Sequence, residues 1–141
     1  MSKEKTKRVH AYPIPTVCDY CGAPVIYTSN AEIYGREYGN GKCYRCTRCD
    51  SHVGVHTGTE IPLGRLANKE LRTLKVKCHN LFDPVWAGKR KVMSKGEAYK
   101  NLARVLGIPP RECHVGWFDV DMLLKALEIL RDPHWYRTEV E

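Results

Sequence analysis

The sequence predicts an α+β fold, in which short antiparallel strands precede a C-terminal unit of three to four helices. Three observations carry that prediction. Two Cys-x-x-Cys pairs, Cys18/Cys21 in CDYCGA and Cys46/Cys49 in CTRCDS, stand with 24 residues between them. The segments between and after them gather Val, Ile and Tyr between turn residues, the signature of short strands. From about Arg65 onward, apolar residues recur at intervals of three and four, the signature of helices. A two-residue spacer lets one tight turn present two thiolates to one ion, and two such turns complete a tetrahedral zinc site. The β part therefore reads as a zinc ribbon with two zinc knuckles and one structural Zn2+ bound by four cysteines, packed with the helical unit.

The elements follow in order. Residues 1–12 read as a flexible basic leader, and Pro13 and Pro15 bring the chain extended into the first knuckle. The ribbon is expected over residues 13–60. PVIYTSN and AEIYGREYG read as short β segments, with Asn30, Gly35, Gly39 and Asn40-Gly41 as turn signals. KCYRCTRC leads into the second knuckle, and SHVGVHTGT alternates as a strand with one face inward. Cys43 and Cys46 share the two-residue spacing as well, which leaves a second register open. The residue after such a pair usually turns through positive φ; Asp50 tolerates that conformation better than β-branched Thr47, which favours Cys46/Cys49.

The helical unit is expected over residues 61–132. Leu71, Leu74, Cys78, Leu81 and Phe82 form one apolar stripe, with Lys69, Arg72, Lys75 and Lys77 on the opposite face. Asp83-Pro84 has the form of a helix start, with Asp83 as N-cap and a second short helix through Val85 and Trp86. After a basic connector, GKRKVMSKG, Ser94 and Glu97 make a capping box for a helix that ends at Gly107. Asp119 caps the last helix, and Asp132-Pro133 closes it. Residues 133–141 read as an acidic C-terminal tail.

Composition narrows the function classes. The 141 residues contain no apolar run of membrane-spanning length, and MSKEKTKRVH lacks the apolar stretch of a signal peptide. Seven cysteines without an export signal point to thiolates kept reduced for metal, and to a cytoplasmic protein with no membrane partner. The formal charge of +7 is concentrated: residues 61–111 hold twelve basic and three acidic groups, whereas residues 112–141 hold three and seven. A concentrated positive segment favours nucleic acid, because bound phosphates release counterions. A solvated helix surface is the alternative reading of the same charges.

The motifs VGVHTGT (Val53–Thr59), PLGRLAN (Pro62–Asn68), HNLFDPVW (His79–Trp86), AYKNLARVLGI (Ala98–Ile108) and CHVGWFD (Cys113–Asp119) follow YRCTRC at Tyr44–Cys49. As a series they resemble the small bacterial, phage and prophage proteins described as a zinc-finger-containing domain, over about Pro15 to Leu130. The resemblance implies zinc on Cys18, Cys21, Cys46 and Cys49 and a bacterial host cell; it names no substrate. Cys43 is a departure from that family's pattern.

Beyond zinc, three functions compete. The leading one is a non-enzymatic zinc protein that binds nucleic acid through Lys69, Arg72, Lys75, Lys77, Lys89, Arg90 and Lys91. The second is a module that modulates a host protein through the helical unit, with the acidic tail and Trp135 as its surface. The third is a divalent-metal nuclease built from His56, His79, His114, Asp83 and Asp119, for which His79 and Asp83 have the i, i+4 spacing of a base and its orienting carboxylate. Against that third site, Asp83 and Asp119 are each accounted for as helix caps. Cys78 falls on the apolar stripe and reads as a small buried hydrophobe.

Overall fold

The computed structural model describes residues 11–139. The first ten residues of the expected leader lie outside that range, as do the last two of the expected tail. The chain forms two compact units, one running to Lys69 and the other starting at Glu70. Among the described residues no helix is long and apolar enough to cross a membrane.

The first unit is built on a three-stranded antiparallel sheet in the order β1 (Val25–Ser29), β2 (Lys42–Cys46), β3 (His52–Gly54). β2 is central: Tyr44 pairs with Tyr27 on one side and with Val53 on the other. Successive side chains on a strand point to opposite faces, so Tyr44 and Cys46 share a face while Cys43 occupies the other. Tyr44, Cys46, Val53, Val55 and Leu66 pack with Cys18 and Ala23 into the unit's core. Two phenol hydroxyls tie the surrounding loops to it, Tyr44 donating to the Glu60 carbonyl and Tyr20 to that of Leu66. Beyond β3 the chain continues only as single bridges, Val55 with Pro62 and His52 with Ala67.

AEIYGREYG differs from its expected β form. Ala31–Tyr34 is a helical turn, α1, closed by Gly35 at φ 86°. Asn30 decides this. Its amide oxygen accepts from the Tyr38 N–H at 3.0 Å and its amide nitrogen donates to the Tyr38 carbonyl at 2.9 Å. That two-way bond folds the loop back on itself, which an extended strand at 31–38 would not allow.

The second unit opens with α2, Lys69–Trp86, which runs through Pro84 without a break. Asp83 is therefore not an N-cap, and no second short helix starts there. Pro84 forfeits only the bond to the Asn80 carbonyl, and it does so two residues before the helix ends. The Asp83 carbonyl still receives the Ala87 N–H at 2.9 Å. On α2, Leu71, Cys78 and Phe82 are buried, whereas Leu81 is exposed. Steps of about 100° per residue put the three buried positions within about 40° of one another and Leu81 well to the side.

The remaining caps follow the sequence. Glu97 N–H donates to Ser94 Oγ and Ser94 N–H to Glu97 Oε1, opening α3, Lys95–Leu106, which ends at Gly107 with φ 77°. Asp119 accepts from the Met122 N–H at 2.9 Å and opens α4, Val120–Leu130. Between α3 and α4 lie two short 3-10 turns, Pro110–Glu112 and Val115–Trp117, and a third, Trp135–Arg137, follows α4. That last turn overturns the expectation of a Trp135 surface. Trp135 is 2% exposed, with its ring 5.9 Å from that of Phe82. The Arg104 guanidinium holds the turn in place by donating to the carbonyls of Tyr136 and Thr138.

Candidate metal centre

The two knuckles are built on the same backbone plan. In the first, Cys18 N–H donates to the Ala23 carbonyl; in the second, Cys46 N–H donates to the Ser51 carbonyl five residues on. The first turn closes through Gly22 at φ 79°. The second closes differently, since among the described residues no position other than glycine has positive φ. The favoured register is the one observed, but Asp50's tolerance of positive φ is not its cause. Strand alternation is: Cys43 and Cys46 point to opposite faces of β2, so one ion cannot take both. Thr47 has its own task, with its N–H and hydroxyl both donating to the Pro24 carbonyl, 3.0 and 2.8 Å, which binds the knuckles together.

As a result, the sulfurs of Cys18, Cys21, Cys46 and Cys49 all lie within 4.8 Å of one another. Cys18 and Cys49 are 3.6 Å apart, and Cys21 and Cys46 are 3.4 Å apart. A tetrahedron of Zn–S bonds about 2.3 Å long has edges of about 3.8 Å, so the donor set and its spacing fit one zinc ion. No other group of three or more histidine, cysteine or acidic side chains with ligand spacing occurs among the described residues.

The backbone is arranged to favour thiolate. Arg48 and Cys49 N–H groups both point at Cys46 Sγ from 3.3 Å, and Tyr20 N–H points at Cys18 Sγ from 3.4 Å. Burial alone would raise the Cys46 thiol, but the Cys49 and Arg48 N–H groups and the adjacent thiols bring it below its ordinary value. Cys21 goes the other way: the Ala23 N–H acts to lower it, but the Cys46 thiol, burial and the other two thiols push it up to about 11. Without a cation the four sulfurs share protons; with one they release them, and metal affinity rises with pH. Ser51, fully buried, sets its hydroxyl 3.1 Å from Cys49 Sγ and orients that ligand. Neither Ser51 nor Thr47 was legible as a site residue, because a lone hydroxyl after a cysteine carries no pattern.

Outside the metal centre the nominated residues divide. Lys69, Lys77, Lys89, Arg90 and Lys91 are exposed, while Arg72 and Lys75 are half-buried. Lys75 is not on the face opposite the apolar stripe: at about 100° per residue it falls beside Phe82. Burial, with Arg72 adding to it, pulls its pKa down. At the far end of α2 a groove of ≈ 510 Å³ is lined by His79, Asn80, Asp83, Pro84, Lys89 and Arg90, among others. His79 Nδ1 lies 3.1 Å from Asp83 Oδ1, both side chains about two-fifths exposed. His114 instead bonds the Arg111 carbonyl and stacks 4.1 Å from Trp117, Asp119 is spent as a cap, and His56 is exposed in the first unit. Cys78 and Cys113 are buried, and that burial pushes their thiols up to about 11 and about 12.

Residues 14–133 match the family described as a zinc-finger-containing domain. Neither a curated protein nor a solved structure matches the chain.

Proposed function

From a chain that belongs to the zinc-finger-containing domain family, we propose a non-enzymatic protein of phage or prophage type that binds nucleic acid through its basic middle segment. The observation that carries this is the groove at the end of α2. Lys89 and Arg90 line it together with His79, Asn80 and the single carboxylate Asp83, and Lys91 lies exposed next in sequence. Charge there is presented on a concave surface instead of being spread over a convex helix, which suits a phosphate backbone. Exposed Lys69 and Lys77 on α2 extend the positive field; Arg72 and Lys75, half-buried, add less. The zinc centre holds the ribbon's shape and makes no contact in this scheme. A cytoplasmic setting belongs to the same proposal, since a four-cysteine zinc site needs reduced thiols, the state a reducing compartment maintains.

Salt titration tests it. Binding of a labelled oligonucleotide should fall steeply with ionic strength, and replacing Lys89, Arg90 and Lys91 by alanine should flatten the log–log slope by about two to three. Binding that is unaffected by the triple replacement, or by salt, would sink the proposal.

The same groove supports a second reading, a nuclease, because the His79–Asp83 pair lies in it beside the cations Lys89 and Arg90. Asp83 would fix the imidazole, leaving Nε2 to take a proton from the attacking water. That reading requires cleavage of plasmid on addition of Mg2+ or Mn2+, lost in His79→Ala while binding persists. Intact plasmid after prolonged incubation leaves the binding function alone.

A further inference from the structure

We infer that the ribbon carries a stacking site for an unpaired base, so that the nucleic acid bound by this protein is single-stranded. The inference rests on the nucleic-acid reading above and adds a different surface. Tyr34 and Tyr38 are 51% and 48% exposed, and their rings stand nearly perpendicular, at 87°, with centroids 5.3 Å apart. They line a groove of ≈ 590 Å³ with Leu63 and Lys42, a volume in the range of small-ligand sites. A planar heterocycle can lie on one ring with its edge against the other. A second groove, ≈ 430 Å³, holds the partly exposed ring of Tyr27. Lys42 and Asn40 line both grooves. Tyr27, across from Tyr44, lies on the opposite face of the sheet from the first groove's Gly54, so the stacking station is the Tyr34/Tyr38 pair, with Lys42 lining the same groove where the phosphate of a stacked nucleotide would lie.

The loop is stiff, which separates it from an accidental pair of surface tyrosines. Asn30, only 8% exposed, spends its whole side-chain amide on the backbone of Tyr38. Its own N–H donates to the Gly41 carbonyl, and Gly41 N–H donates to that of Tyr38. A backbone braced this way limits what the loop loses on binding. Two cations stand at the rings: Lys42 lines their groove and Arg36 lies 5.0 Å above the Tyr38 ring, while the Glu37 carboxylate accepts from the Ser29 hydroxyl at 2.7 Å and keeps its charge. A duplex keeps its bases stacked on each other and offers these rings nothing. A proline-rich peptide also docks on tyrosines, but it makes no use of Lys42 and Arg36.

The test uses full-length, zinc-loaded protein and fluorescence anisotropy with a 12-nucleotide mixed-sequence DNA, the same sequence as RNA, and the corresponding duplex. Tyr34→Leu and Tyr38→Leu keep an apolar side chain and remove the ring; Tyr38→Phe keeps the ring. Zinc content near one per chain confirms that each variant ribbon is folded. Wild type should prefer single strand to duplex. Each leucine variant should lose between about 5-fold and 100-fold in single-strand affinity and little for duplex, with Tyr38→Phe near wild type. If the leucine variants bind single strand like wild type while Lys89/Arg90/Lys91→Ala loses it, the stacking site is wrong and the phosphate reading stands. If wild type binds no polynucleotide, both fall. Binding of a polyproline peptide that the leucine variants abolish, with single-strand affinity unchanged, assigns the groove to peptide and overturns the inference.

Discussion

The two units of this chain reach a folded state by opposite means. The ribbon's core is small, and two of its seven buried members, Cys18 and Cys46, are ligands. Its sheet strands are three to five residues long, too short to be stable alone. The helical unit has conventional resources: Phe82, Leu102, Leu123 and Trp135 are fully buried, and two of its helices carry side-chain caps. Stability in the first unit resides in a bond set that chemistry can remove, and in the second in apolar area that it cannot. The difference also frees the ribbon's surface. A fold secured by metal can leave Tyr34 and Tyr38 half in solvent, where a fold secured by burial would have to use them.

Removing the metal should separate the units most sharply. Structural zinc contributes on the order of 10 kcal/mol in small zinc domains, more than a domain's whole net stability. Chelation, or Cys46→Ser, should unfold the ribbon while the helical unit stays folded. Tryptophan fluorescence is a selective reporter, because Trp86, Trp117 and Trp135 all lie in the second unit. The expected result is loss of ribbon β structure by circular dichroism and rapid proteolysis before residue 69, with an unchanged tryptophan spectrum. A tryptophan red shift on chelation would show that the units do not fold independently. As the converse, Phe82→Ala should cost the helical unit about 3 to 5 kcal/mol and leave zinc content at one per chain.

Legibility in the sequence divides along a different line, between local and distant partners. The metal centre was readable from spacing up to its register, because zinc chemistry constrains residue type and separation at once; strand alternation on β2 excludes the Cys43/Cys46 pair. The capping box at Ser94/Glu97 and the Asp119 cap were readable for the same reason, a local hydrogen bond written in local sequence. Asp83-Pro84 has that form too and misled, since a proline two residues from a helix end costs too little to stop it. What failed was whatever depended on distant partners. Trp135 looked like a free surface because nothing nearby in sequence announces Phe82 or the Arg104 clamp. AEIYGREYG looked like strand because its composition is β-rich, while the two-way bond from Asn30 to Tyr38 spans eight residues.

A smaller effect should appear with pH in the helical unit. Burial raises the thiols of Cys78 and Cys113 to about 11 and about 12, and raises the phenol of Tyr99 to about 12. In an unfolded chain the thiols ionise near their ordinary value of about 9. Between that pH and the folded values the unfolded state binds fewer protons, so each unit of pH moves the balance toward unfolding by up to about 1.4 kcal/mol per thiol. Stability is complete below pH 8.5 and declines above it. Urea midpoints followed by tryptophan fluorescence should be level from pH 7 to 8.5 and fall by pH 10.5. Cys78→Ala/Cys113→Ala should reduce that fall, whatever it does to the midpoint at pH 7. An equal fall in the double variant would assign the loss to other groups.

The smallest expected effect lies within the ribbon and asks whether its buried cysteines are alike. Cys43 is as buried as Cys46 and three residues from it, the spacing of a ligand pair. On a strand three residues is an odd step, so the two side chains leave β2 on opposite faces. Cys43 sits across from Thr28 on one neighbour and Gly54 on the other, and burial raises its thiol. It should behave as a small apolar side chain whose truncation costs about 1 kcal/mol, the size of a typical substitution. Cys43→Ala should therefore keep one zinc per chain and wild-type resistance to chelation, whereas Cys49→Ala loses both. Loss of zinc in Cys43→Ala would mean that the ion can shift to the Cys43/Cys46 register. Strand alternation forbids that unless β2 itself twists out of the sheet, so the variant tests the sheet as directly as it tests the metal.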